Sequence, residues 1–231
     1  MEAVYLSDIT PPNVLKNIKG IIFDCDGVLI NSFEANKWYY NWFKSNYDLE
    51  PMTADEEKFV HAHTNEEALK HILPADVHDE ALSIRENPDL IKAADLIEVE
   101  NGLTRVLEWL RTNKIRAAIN TNRGDSLPAI LQRFGIENFF SPAVTYGMLP
   151  NSKPHPEGVH YILSKWSMKP EEVVYIGDTW VDESCAEQAG VEFWAYRNPN
   201  LNARLHINDY WVLSNLLEKA KNDVWADCSC S

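Results

Sequence analysis

The chain has 231 residues, 45% of them hydrophobic, enough to bury one full-sized core and to carry a modest second lobe beside it. Its 21 Lys and Arg against 35 Asp and Glu leave a formal net charge of −14, and so acidic a surface repels nucleic-acid backbones and anionic lipid headgroups. Nucleic acid and membrane are therefore not expected partners, whereas a small anionic substrate stays open, because a divalent cation and one or two placed cationic side chains reverse the field inside a cleft.

The first twenty residues lack a basic stretch leading into an apolar core with a small-residue cleavage site, and no apolar run approaches the roughly 20 residues of a membrane span. The four cysteines, Cys25, Cys185, Cys228 and Cys230, are too few and too irregularly spaced for a disulfide framework, so the expected location is a reducing cytoplasm. GIIFD, Gly20 to Asp24, is a short unbroken apolar run ending in an acid, as suits a strand buried on both faces. Residues 32–97 hold helical stretches at 34–47, 53–62 and 65–72 and a longer one from Val77 that Pro88 interrupts or bends, with no convincing strand among them. Leu103, Val106, Leu107 and Leu110 then repeat at helical spacing, followed by the strand RAAINT (Arg116 to Thr121) and a helix from Ser126 to Phe134 that closes on Gly135. The weaker run PAVTY (Pro142 to Tyr146), then VVYIGD (Val173 to Asp178) and EFWAY (Glu192 to Tyr196), complete the strands, and DCSCS reads as a frayed tail. Alternation of strand and helix from residue 99 onward implies an α/β fold: a three-layer Rossmann-like core with a central parallel sheet. Residues 1–31 and 98–231 form that core, and residues 32–97 are an inserted α-helical cap.

Three of the apolar runs finish in residues able to do chemistry: Asp24 with Asp26, Thr121 with Asn122, and Asp178 with Asp182. Parallel strands point the same way, so these ends converge at the carboxyl edge of the sheet, where such folds bind ligands. Strand alternation puts Asp24 and Asp26 on one face and Cys25 on the other, and Gly27 lets the chain turn. Two carboxylates so close share a proton or bind a cation; the third acid, Asp178, favours the cation. A few hard oxygen ligands, without His- or Cys-rich spacing, describe Mg2+ better than calcium or zinc. Lys153, stiffened by two prolines in SKPHPEG, supplies a positive charge that would neutralise phosphoryl oxygens, and the Thr121 hydroxyl can donate to the same oxygens.

DCDGVL, INTN, SKPHPEG and GDTWVDE, in that order, resemble the four motifs of the haloacid dehalogenase superfamily over nearly the whole chain, closest to its phosphoglycolate phosphatase and β-phosphoglucomutase-like group. The resemblance implies a magnesium-dependent phosphatase acting on a small phosphorylated metabolite, phosphoglycolate or a sugar phosphate, through an aspartyl phosphate. Asp24 would be the nucleophile, and Asp26 would protonate the leaving oxygen and then activate water. Thr121, Asn122 and Lys153 would hold the phosphate, and Asp24, the Asp26 carbonyl and Asp178 would ligate Mg2+, with Asp182 supporting the ion or Lys153 from behind. The acid at position 26 argues against carbon–halogen cleavage, which needs no proton on the leaving group. A mutase of the β-phosphoglucomutase type is the alternative, and a silent binding protein on the same fold is the alternative of another class. The expected state is a monomer or homodimer.

Two departures from the group's pattern touch the substrate side. Asn31 stands where an acid is common, and VHAHTNEEAL, with His61, His63, Thr64 and Asn65, stands where a glycine-bearing cap loop is usual. These four residues either select the substrate or form a solvated connection with Thr64 or Asn65 as a helix cap. Arg123 reads as a solvated loop arginine with a lesser expectation of binding a substrate anion, KWYYNWF (Lys37 to Phe43) as lobe packing, and Cys25 as a buried thiol raised by its acidic neighbours.

Overall fold

The structure, a computed structural model, describes residues 4–6, 17–84 and 93–223. Its centre is a seven-stranded, fully parallel sheet. The strands are β1 (Val4–Tyr5), β2 (Gly20–Phe23), β5 (Arg116–Asn120), β6 (Phe140–Val144), β7 (Val173–Gly177), β8 (Glu192–Tyr196) and β9 (Leu205–Ile207). Their order is β1-β9-β8-β7-β2-β5-β6, so β2 lies in the middle between β7 and β5. The five expected strands are all present, with β6 starting two residues earlier than its apolar pattern suggests. Strands β1 and β9, of two and three residues, are too short to leave a pattern.

The central strands are buried along nearly their whole length, and successive side chains serve opposite faces. Ile21, Phe23, Ile119, Ile176 and Trp194 pack into one core with the helices Leu103–Thr112 and Tyr210–Asp223, while Ile22, Ala118, Tyr175 and Ala195 pack into a second with the helices Glu157–Trp166 and Trp180–Ala189. This is the expected three-layer arrangement. The second interface is so close that a Cβ on Gly20 would come within 2.4 Å of the Trp166 ring.

The chain leaves the core at β3 (Ile30–Asn31) and returns at β4 (Glu98–Val99), which pair antiparallel as a narrow stem. Between them lie α1 (Phe33–Asn46), α2 (Ala54–Ala62), α3 (Asn65–Ile72) and α4 (His78–Ser83), an inserted helical lobe. Pro88, like the DCSCS tail, lies outside the described residues. The lobe buries its own small cluster, with Tyr40, Phe43, Met52, Val60, Leu69 and Ile72 at its centre. Thr53 with Glu56 and Thr64 with Glu67 form capping boxes that start α2 and α3. Lys44, 7% exposed, is neutralised by Glu56 at 2.7 Å. The aromatic run 37–43 divides its work: Phe43 is fully buried, while Tyr39 and Tyr40 also line the cavity between lobe and sheet.

Candidate active site

Three strand ends deliver the predicted residues to one place. Asp24 follows β2 directly, and its backbone N–H donates to Ile176 O at 2.9 Å, which fixes it beside β7. Gly27 turns the chain at φ +75°; a Cβ there would strike Asp178 Oδ2 at 2.1 Å, so only glycine lets this loop lie against the end of β7. Thr121 follows β5, 4% exposed, with its N–H on Val144 O at 3.0 Å. Asp178 follows β7, and Asp182 lies in the first turn of the helix Trp180–Ala189.

Lys153 joins them from the loop before the helix Glu157–Trp166. Its Nζ sits 2.7 Å from Asp24 Oδ1 and 2.6 Å from Asp182 Oδ1, and the side chain is almost wholly buried. Burial opposes its charge, but Asp182 and Asp24 outweigh that and raise the ammonium above its ordinary range, so it stays cationic. Asn122 holds the loop in place: its Oδ1 accepts from Lys153 N at 3.0 Å, while its Nδ2 donates to Lys153 O at 3.2 Å and to Ala62 O of the lobe at 3.4 Å. The Asn122 side chain is thus engaged with backbone.

Asp182 is saturated by donors. Oδ1 accepts from Lys153 and from the Tyr175 hydroxyl at 3.1 Å, and Oδ2 accepts from Thr179 N at 3.1 Å and Thr179 Oγ1 at 2.6 Å. Asp178 is not: Oδ2 meets His61 Nε2 at 3.2 Å, while Oδ1 is buried with no partner. Burial pushes the Asp178 carboxyl up, and the hydrogen bond from His61 pulls it back only in part. Burial, then the charge of Asp182, push Asp24 up to about 8 against the pull of Lys153.

Asp24, Asp178 and Asp182 each offer a carboxylate oxygen within 4.8 Å of the others. Four acids, counting Asp26, face the two permanent cations Lys153 and Arg123 in this buried space. A divalent cation fits this donor set on two grounds: it would discharge an excess of negative charge that burial makes costly, and it would give Asp178 Oδ1 a partner.

Two residues act in ways the sequence did not show. Arg123, just beyond Thr121, curls back to form a forked pair with Asp26, Nε on Oδ2 at 2.9 Å and Nη2 on Oδ1, and Ser32 Oγ donates to the same carboxylate. Burial works against charge on Asp26, yet Arg123 outweighs it and holds the carboxyl at about 2. His61, in the last turn of α2, reaches across 117 residues to Asp178; Thr64 is the N-cap of α3. Both contacts depend on how the lobe and the loop after β5 curve over the sheet edge, which no local pattern encodes. Cys25 is fully buried, its thiol raised by desolvation and then by Asp26, as expected of a packed rather than reactive cysteine.

A cavity of about 850 Å³ opens over Asp24, Asp26, Thr121 and Arg123, with Tyr39 and Asn65 of the lobe on its far side. This chain is similar to several known proteins. Phosphoglycolate phosphatase of Haemophilus influenzae is 27% identical over 74% of this chain and 82% of its own length. Pyrophosphatase PpaX of Oceanobacillus iheyensis is 27% identical over 82% and 90% respectively. For some other phosphoglycolate phosphatases the chain matches well under half of their length. Among solved structures, a haloacid dehalogenase-superfamily hydrolase of subfamily IA from Geobacter sulfurreducens superimposes with a TM-score of 0.69 and 30% identity, over 87% of this chain and 97% of that one. With the haloacid dehalogenase-like hydrolase family model matching residues 21–196, well over half of the sequence, and the four motifs converging in space, the chain belongs to the haloacid dehalogenase-like hydrolases.

Proposed function

We propose that the protein is a magnesium-dependent phosphatase that hydrolyses a small phosphorylated organic acid or sugar phosphate through an aspartyl phosphate on Asp24. The observation that carries this reading is the placement of Asp24 against Lys153, at 2.7 Å, on the floor of a cavity large enough for a metabolite. The names of the relatives, phosphoglycolate phosphatase and pyrophosphatase, support the substrate class. Mg2+ would be held by Asp24, Asp178 and the Asp26 carbonyl, and would supply positive charge to the phosphoryl oxygens.

Asp24 attacks phosphorus with one carboxylate oxygen, and the bond from phosphorus to the ester oxygen breaks. Lys153 and the Thr121 hydroxyl neutralise the phosphoryl oxygens during transfer. The leaving alkoxide takes a proton from Asp26; a water then gives its proton to Asp26 and attacks phosphorus, releasing phosphate and restoring the Asp24 carboxylate.

The forked pair with Arg123 favours the ionised form of Asp26 and so opposes its role as proton donor. A substrate with a second anionic group offers Arg123 another partner and frees Asp26 for acid catalysis. This favours phosphorylated acids such as phosphoglycolate over phosphate esters of neutral alcohols. The inserted residues 32–97 act as the cap that closes this chamber and excludes bulk water. Free, buried Cys25 and Cys185 accord with a reducing cytoplasm, and among the described residues no helix is long and apolar enough to cross a membrane.

Phosphate release from a panel of phosphorylated acids, sugar phosphates and an aryl phosphate, with Mg2+ and with the Asp24→Asn protein as control, tests the reading. The wild type is expected to release phosphate, fastest from a phosphorylated acid, and Asp24→Asn to lose on the order of 10⁴-fold or more in turnover with its fold intact. Turnover surviving Asp24→Asn removes the nucleophile. Isomerisation of a sugar phosphate without release would establish the mutase instead.

A further inference from the structure

Among the described residues, His61 is the lobe side chain that reaches the Asp24, Asp178 and Asp182 cluster, through Asp178. Its ring is held from three directions: Nε2 is 3.2 Å from Asp178 Oδ2, Phe33 of α1 packs edge-on with centroids 6.2 Å apart, and Gly27 leaves the space below, where a Cβ would come 2.9 Å from Nε2. The other ring nitrogen, Nδ1, is buried without a partner, so nothing else competes for the ring. Next along the chain, Ala62 O accepts from Asn122. The end of α2 is therefore seated on the strand ends at two consecutive residues.

The division of labour at Asp178 decides what this contact does. His61 takes Oδ2 and leaves Oδ1 buried and unpartnered, so one oxygen stays open to a cation. A carboxylate anchored through one oxygen presents the other in a defined direction, as donors behind metal-ligating carboxylates do. The two acids differ in where their donors come from: Asp182 receives all its donors from the core, whereas Asp178 receives its side-chain donor from the lobe.

We infer that His61 is a positioning residue through which the closed lobe aims Asp178 at the divalent cation, so that cation binding and lobe closure reinforce each other. The inference rests on the proposal that Asp178 is a ligand of the ion. Reciprocity is thermodynamic: whatever factor the closed lobe adds to cation affinity, the cation adds to closure.

Calorimetric titration with Mg2+ and amide hydrogen exchange over residues 58–66, neither of which needs turnover, test it. His61→Ala is expected to weaken Mg2+ binding by about 10–100-fold, and His61→Gln, whose amide can donate from a similar reach, to recover most of that loss. Mg2+ should slow exchange at residues 58–66 in the wild type and leave His61→Ala unchanged. His61→Ala binding Mg2+ as tightly as the wild type or more tightly, with its circular dichroism intact, overturns the inference. Asp178→Asn separates the two readings: if it still binds Mg2+ like the wild type, the assignment of the ion's ligands fails, whereas loss in Asp178→Asn without loss in His61→Ala discards only the role of His61.

Discussion

Asp24, Lys153, Asp178 and Asp182 stand on strand ends and on loops braced by backbone hydrogen bonds, whereas the lobe meets Asp178 through His61 and Asn122 through the Ala62 carbonyl, from a helical cluster with its own separate core. In the floor, charges are locked pairwise: Lys153 touches two carboxylates, Asp182 accepts from four donor atoms, and Asn122 grips the Lys153 backbone at both its N–H and its carbonyl. The lobe is attached to the core by a two-strand stem and a few polar contacts. Electrostatic preorganisation needs the first construction, because dipoles that must rearrange during transfer forfeit their effect. Substrate entry needs the second.

If the floor is a preformed electrostatic unit, the largest effects should come from breaking it. Lys153→Met leaves Asp24 and Asp182 buried without their cation; it should lower turnover by at least about 10³-fold and, in thermal melts, cost roughly 3–5 kcal/mol of stability. A Lys153→Met protein that melts with the wild type would show that the floor is not held by this charge. Next comes the boundary between floor and chamber. Arg123→Gln should raise KM for a substrate carrying a second anion by about 10–100-fold and barely move KM for an aryl phosphate, a difference steady-state kinetics reads directly. Equal shifts for both substrates would return Arg123 to a purely structural pairing with Asp26.

Stability against pH sharpens the same contrast. The Asp24 carboxyl, ordinary in the unfolded chain, is raised to about 8 in the folded one, so between those values the folded state binds more protons and stability falls as pH rises. The cation-free wild type should therefore lose stability from about pH 4 to 8. Asp24→Asn should flatten that decline and melt several degrees higher at pH 8, and excess Mg2+ should stabilise the wild type there. Parallel melting curves for the two proteins across this range would contradict the burial of a strained carboxyl. The smallest effect belongs to the lobe rim: the exposed hydrogen bond from Tyr146 Oη to Glu66 Oε2, 3.0 Å, should be worth under about 0.5 kcal/mol, so Tyr146→Phe is expected to melt with the wild type.

The floor was legible in the sequence because its parts stand at fixed offsets from strands that announce themselves. Asp24, Thr121 and Asp178 each end an apolar run, and parallel pairing of β2 with β5 and β7 brings those ends together. Lys153 was legible through its proline-flanked motif. The lobe's existence was equally clear, from helical patterns placed where a strand should follow. What no pattern showed was the set of contacts that cross between the regions. His61 and Asp178 are 117 residues apart, and Arg123 and Asp26 are 97 apart; each pair is fixed by the angle at which one segment passes over another. Asn122, expected as a phosphate contact, lines the cavity and also bonds backbone carbonyls and the Lys153 amide, contacts no pattern showed.

That amide has an asymmetric grip. Of its three bonds, two hold the lysine loop at 3.0 and 3.2 Å and one reaches the lobe at 3.4 Å. Were the lobe to swing open, the longest bond is the one that would part, and the remaining pair would still fasten the lysine where it stands. On the proposed function, turnover would then begin again without the ammonium having to find its place anew.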